Sequence, residues 1–270
     1  MNLEKQLFVK EAINTFDLLI KNKRTVLVAS IVDCLFFFFY GLLGGGLNIK
    51  ISQLITDIGE AIIPGIREGK AVIDLLFAPD IYPMTKSLLL NLFLLVALIY
   101  ALYVIFQGVN FWLANNLVKR KDYKNYVILF AKLNILWLAL YVVYQILDLV
   151  GTLQEHFIKI ATFTQATSWW SISANVLALL LLYFGLISYT KLSIKESLLF
   201  GIRKFKQLFL VMLSSIIIIL VLMFLLTNLF NTVINYSNGD KIFFVIGAII
   251  LFPTLFFLRT YWALCISKVK

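Results

Sequence analysis

Apolar residues in this chain gather into long runs separated by short basic segments. The first run is TVLVASIVDCLFFFFYGLL, residues 25–43. Five more fall at about 89–116, 127–149, 172–190, 208–230 and 242–265. The hydrocarbon core of a bilayer is about 30 Å thick, so one crossing takes roughly 20 mainly apolar residues. Each run comes to that length. The pattern predicts an all-α polytopic transmembrane bundle of six spans, forming one integral membrane domain over residues 1–270.

Between the runs the periodicity changes. Residues 3–20 set Phe8, Ala12, Phe16, Leu19 and Ile20 on one helical face and Lys10, Asn14, Asp17 and Lys21 on another. This reads as an amphipathic helix in the cytoplasmic interface. Residues 194–206 repeat the pattern, with Ile194, Leu198, Leu199, Ile202 and Phe205 opposed by Lys195, Arg203 and Lys206. Gly44, Gly45 and Gly46 are expected to close the first span. In the connection 47–86, Ile51, Leu54, Ile55, Ile58 and Ile62 have helical spacing, Pro64 is expected to stop it, and residues 72–77 form a second apolar stretch. Charges interrupt both, which predicts two short surface helices. Residues 150–170 read as a polar connection ending in Trp169 and Trp170, an aromatic pair suited to the membrane–water boundary. Pro253 inside the last run predicts a kink, because membrane helices tolerate proline.

Composition strengthens this reading. The chain is 61% hydrophobic and 14% charged, with a mean hydropathy of +0.94. A soluble fold would lack the polar residues to cover its exterior. The net charge of +10 would suggest nucleic acid in a soluble protein. Here the basic residues sit beside apolar runs, as topogenic signals do, and no nucleic-acid partner is expected. Five basic residues precede the first span, five lie in the second-to-third connection with the start of the third span (Lys119, Arg120, Lys121, Lys124, Lys132), five between the fourth and fifth, and two in the tail. Only six fall in the alternate connections. The bias predicts a cell-membrane protein with both termini cytoplasmic and anionic headgroups against its inner face. No cleavable signal peptide is expected, because the first 24 residues lack a short apolar core.

Two cysteines, Cys34 and Cys265, and one histidine, His156, leave no metal or disulfide pattern. No cofactor or metal is expected, and no hydrolase, protease or nucleotide-binding motif is present. Asn235-Tyr236-Ser237 matches a glycosylation sequon on the predicted outer side, a pattern common by chance.

Three units share one order of features: amphipathic helix, span, outer connection, returning span. They begin near residues 3, 122 and 192. Helix-pair repeats of this kind are one transporter plan; interfacial helices that merely precede spans would look the same. The segments SIKESLLFGIRKFKQLFLVMLSS (193–215) and KEAINTFDLLIKNKRTVLVAS (10–30) resemble six-span prokaryotic membrane proteins of unassigned function, such as the membrane domain accompanying some glycerophosphodiester phosphodiesterases. The resemblance implies the six-span layout. No catalytic domain of that kind is present, so it implies no activity.

Ionisable residues inside a span cost roughly 2.5–3.5 kcal/mol on insertion scales and mark functional candidates. Asp33 and Arg259 stand about equally far from the cytoplasmic ends of the first and sixth spans and are expected to pair. Gln107, Asn110, Asn134, Ser214 and Ser215 fall near the same depth and are candidate lining for a cavity. The alternative is a structural lock between first and last spans. Two function classes follow: a non-enzymatic membrane component (scaffold, assembly factor or subunit of a membrane protein partner), or a small transporter or channel with a polar cavity around Asp33 and Arg259. A lipid-modifying enzyme using Lys119, Arg120 and Lys121 at the inner face is a third.

Overall fold

The computed structural model describes residues 3–162, 169–233 and 239–269. Its secondary structure is helical, with no β-strand among the described residues. Among the described residues six helices are long and apolar enough to cross a membrane. At most 33% of each span's apolar window is buried within the protein, so most of that surface needs an apolar solvent. Water would meet Leu220, Phe224, Phe244 and Ile249 directly. The protein is an all-α polytopic membrane bundle.

The chain divides into two compact units, one of residues 1–33 with 108–270 and one of residues 34–107. In the first lie α1 (Leu3–Lys21), the first part of α2 (Lys23–Phe39), α6 (Gly108–Val118), α7 (Tyr123–Thr162), α8 (Trp169–Lys191), α9 (Ile194–Arg203), α10 (Phe205–Val233) and α11 (Gly239–Lys268). Helix α11 packs against α1, α6, α8 and α10. Tyr183 and Ile187 of α8, Leu208, Val211 and Met212 of α10, and Tyr261, Trp262, Cys265 and Ile266 of α11 form its largest core. A smaller core joins Leu19, Ala29, Ala114 and Phe256.

The second unit contains α3 (Gly45–Arg67), α4 (Val72–Leu76) and α5 (Tyr82–Leu102), with α3 packed along α5. It also holds π-helical stretches at Tyr40–Gly44 and Tyr103–Gln107. Rings of Phe36, Phe39, Tyr40, Tyr103 and Phe106 meet beside them: Phe39 stacks on Phe106 at 5.8 Å and Phe36 meets Tyr103 edge-on at 6.4 Å.

Several elements depart from the sequence expectation. The three glycines do not close the first span: the helix passes through the π-helical stretch into α3, because a π turn absorbs an extra residue without breaking the helix. Pro64 lies inside α3. The stop is Gly69, at φ +80°. Its N–H donates to the Ile66 carbonyl, and that of Lys70 to Gly65, the paired bonds of a Schellman cap. The expected polar connection 150–170 is helical to Thr162, so α7 runs for 40 residues. In the second expected repeat unit no separate amphipathic helix precedes the span, whereas α1 and α9 are distinct helices. Pro253, by contrast, does not break α11, as expected in a membrane helix, and Thr254 donates its hydroxyl to the Ile250 carbonyl.

Helix α1 shows how an apolar solvent changes amphipathic packing. Among its described side chains Glu11, Thr15 and Leu19 are buried, while Val9, Ile13, Phe16 and Ile20 are exposed. In water the apolar stripe would turn inward. Beside lipid that stripe can face outward, and the mixed face packs on α11.

Candidate functional site

Asp33 lies on α2 and Arg259 on α11, 226 residues apart in sequence. Within the first unit, Arg259 donates Nη1 to Asp33 Oδ2 at 2.6 Å and Nη2 to Oδ1 at 3.0 Å. The pair is a bidentate fork, the strongest common geometry for two side chains. The Asp33 side chain is fully buried and that of Arg259 11% exposed. Phe111 of α6 presents its ring to the guanidinium, 5.4 Å from centroid to Cζ. Burying two charges this way is costly unless the geometry is good, and here both carboxylate oxygens are engaged.

Asn110 neighbours Phe111 on α6 and is completely buried. Its amide donates to the Ala29 carbonyl at 3.1 Å, one helical turn before Asp33. Asn110 Oδ1 and Ser30 Oγ are buried with no hydrogen-bond partner among the described residues. By helical spacing Ser30 shares the Asp33 face of α2.

Three other candidate lining residues, Asn134, Ser214 and Ser215, have partners of their own. Asn134 donates to the Phe130 carbonyl and accepts the Tyr189 hydroxyl at 2.8 Å, tying α7 to α8. Ser215 accepts the Trp262 indole N–H at 3.0 Å, and Ser214 shares a 3.3 Å contact with the Tyr261 hydroxyl, both tying α10 to α11. Gln107 belongs to the second unit, where it is buried.

Sequence reading missed a second polar cluster, at the ends of α6 and α8. Asn115, also buried, donates to the Phe111 carbonyl at 2.8 Å and to the Tyr126 hydroxyl at 3.2 Å. Tyr126 donates its hydroxyl to the Tyr189 carbonyl at 2.5 Å. Lys121 donates to the Thr190 carbonyl at 2.6 Å and to Asn115 Oδ1 at 3.3 Å. The available signal was the Asn115-Asn116 pair ending an apolar run beside a basic triplet. Glu11 was also missed: it is buried and accepts from Asn14 at 3.1 Å.

Among the described residues no group of three His, Cys, Asp or Glu side chains could hold a metal. His156 and the Asn235 sequon have side chains outside the described residues. Compared with protein-family models, curated proteins and solved structures, the chain matches none of them.

Proposed function

We propose that this protein is a non-enzymatic component of the cell membrane, a scaffold or partner subunit, with both termini cytoplasmic and its basic connections against anionic headgroups. The observation that carries the reading is how the buried polar groups are used. Asp33 with Arg259, Asn134 with Tyr189, Trp137 with Ser188 and Ser215 with Trp262 all join two helices. Polar groups committed to neighbouring helices hold a bundle together and leave little to bind a passing solute. The six-span layout over residues 1–270 as one membrane domain, and kinship with the membrane domains named above, belong to this proposal.

A second reading, a small transporter or channel, is favoured by the unpartnered oxygens of Ser30 and Asn110 beside the Asp33–Arg259 pair. One experiment separates the two. In a Cys34→Ala/Cys265→Ala background, Ser30→Cys in proteoliposomes is exposed to a membrane-impermeant thiol reagent from both sides. The scaffold reading expects no modification. Rapid modification from the cytoplasmic side would replace it with the transport reading.

A further inference from the structure

The connection between α6 and α7 is held more firmly than a topogenic charge requires. Positive charge sets orientation through its position in sequence. It needs no fixed geometry. Here the Lys121 N–H donates to Asn116 Oδ1 at 3.0 Å, and the Trp112 indole donates to the Lys121 carbonyl at 3.0 Å. Tyr123 packs edge-on against Trp112 at 5.1 Å. Lys121 reaches past Tyr126, its Nζ 5.2 Å from the ring centroid, to bind Thr190 and Asn115. Two of its three ammonium hydrogens are thereby placed. Lys191, at the end of α8, lies over the Phe200 ring at 4.1 Å.

The charges do not balance. Lys119 stands two residues before Lys121, and the Thr190 carbonyl that Lys121 binds at 2.6 Å directly precedes Lys191, so the three like charges share one corner of the unit. Among the described residues no carboxylate forms an ion pair with any of them. Asp122 turns to the Asn125 N–H at 2.9 Å instead. The C-terminal ends of α6 and α8 contribute about half a negative charge each. Three ammonium groups therefore keep an excess of about two positive charges beside a Trp–Tyr pair of the kind that marks headgroup level. Burial first, then Lys119 and Lys191, lowers the Lys121 ammonium to about 8.

We propose that Lys119, Lys121 and Lys191 form a site for one phosphate group, offered by the headgroup of an anionic glycerophospholipid. A phosphodiester carries one negative charge and free oxygens for the third Lys121 hydrogen and for the two neighbouring lysines. The site rests on the lipid setting of the spans and stands apart from the choice between scaffold and transporter.

The test uses the full chain in neutral detergent, titrated with short-chain phosphatidylglycerol or phosphatidylcholine and followed by thermal unfolding. Phosphatidylglycerol is expected to stabilise at about tenfold lower concentration. Lys119→Gln/Lys191→Gln, which removes no hydrogen bond among the described residues, should bring the two lipids level. Lys195→Gln/Lys206→Gln, on exposed positions of α9 and α10, should keep the preference. Equal response to both lipids, or equal loss in both double variants, would overturn the site. Inorganic phosphate stabilising as strongly as phosphatidylglycerol would keep the phosphate chemistry and overturn the lipid source. The phosphatidylcholine arm reports on the lipid setting by itself, so the two failures are distinguishable.

Discussion

Trp262 of α11 donates its indole N–H to the Ser215 hydroxyl of α10 at 3.0 Å, and Ser215 in turn donates to the Val211 carbonyl at 2.8 Å. The bond joins two fully helical spans at a buried position. Bonds of this type in membranes average about 0.6 kcal/mol by double-mutant cycle, with a ceiling near 1.7. A cycle of Ser215→Ala and Trp262→Phe, read by thermal unfolding in detergent, should give coupling in that range. Additive losses would show that the bond contributes nothing.

Gly201 allows α9 to lie against α8. A Cβ there would stand 2.7 Å from Phe184 Cε1 and 3.1 Å from Ile187 Cδ1. The Tyr183 hydroxyl donates to the Gly201 carbonyl at 2.8 Å, fixing the same approach. Gly201→Ala should destabilise by about 1–3 kcal/mol through overpacking, and Gly201→Val by more. Gly59, with open space around its Cβ position, should tolerate alanine; comparative melting temperatures check both.

Lys121 gives the bundle a pH dependence of definite sign. Its ammonium is lowered from 10.5 to about 8, by burial first and then by Lys119 and Lys191. The phenol of Tyr126 also faces it. Between those two values the unfolded chain binds more protons at this group than the folded chain. Its contribution to stability therefore rises as pH climbs from about 8 to about 10.5. Lys121→Met should remove that part of the rise. Melting temperatures of both proteins across this range supply the comparison, and identical slopes would refute it.

The apolar runs made the membrane bundle legible, because nothing but lipid could solvate six of them. Asp33 and Arg259 were legible as the rare charges inside those runs, and helix rise placed them at matching depths. Tyr189 could not be found as the partner of Asn134, since tyrosines are common along these spans and helical rotation is needed to choose among them. The end of α3 was misread because proline was weighed above glycine. Pro64 removes one N–H, while Gly69 supplies the positive φ that stops a helix. The buried Glu11 was hidden by a soluble-protein habit, which assigns charged faces to solvent even where apolar faces have lipid available.

On this reading Asp33 and Arg259 hold α2 against α11 by pairing with each other. Arg259→Ala and Asp33→Asn each strand a partner; for the arginine variant, the buried carboxylate left behind should cost about 3–5 kcal/mol. Arg259→Lys should restore only part, since an ammonium cannot form the fork. The deciding measurement is the thermal stability of the charge-exchanged Asp33→Arg/Arg259→Asp protein beside its two single variants in the same detergent. The exchanged protein is expected to be more stable than either single variant. An exchanged protein as unstable as the two single losses added together would contradict it.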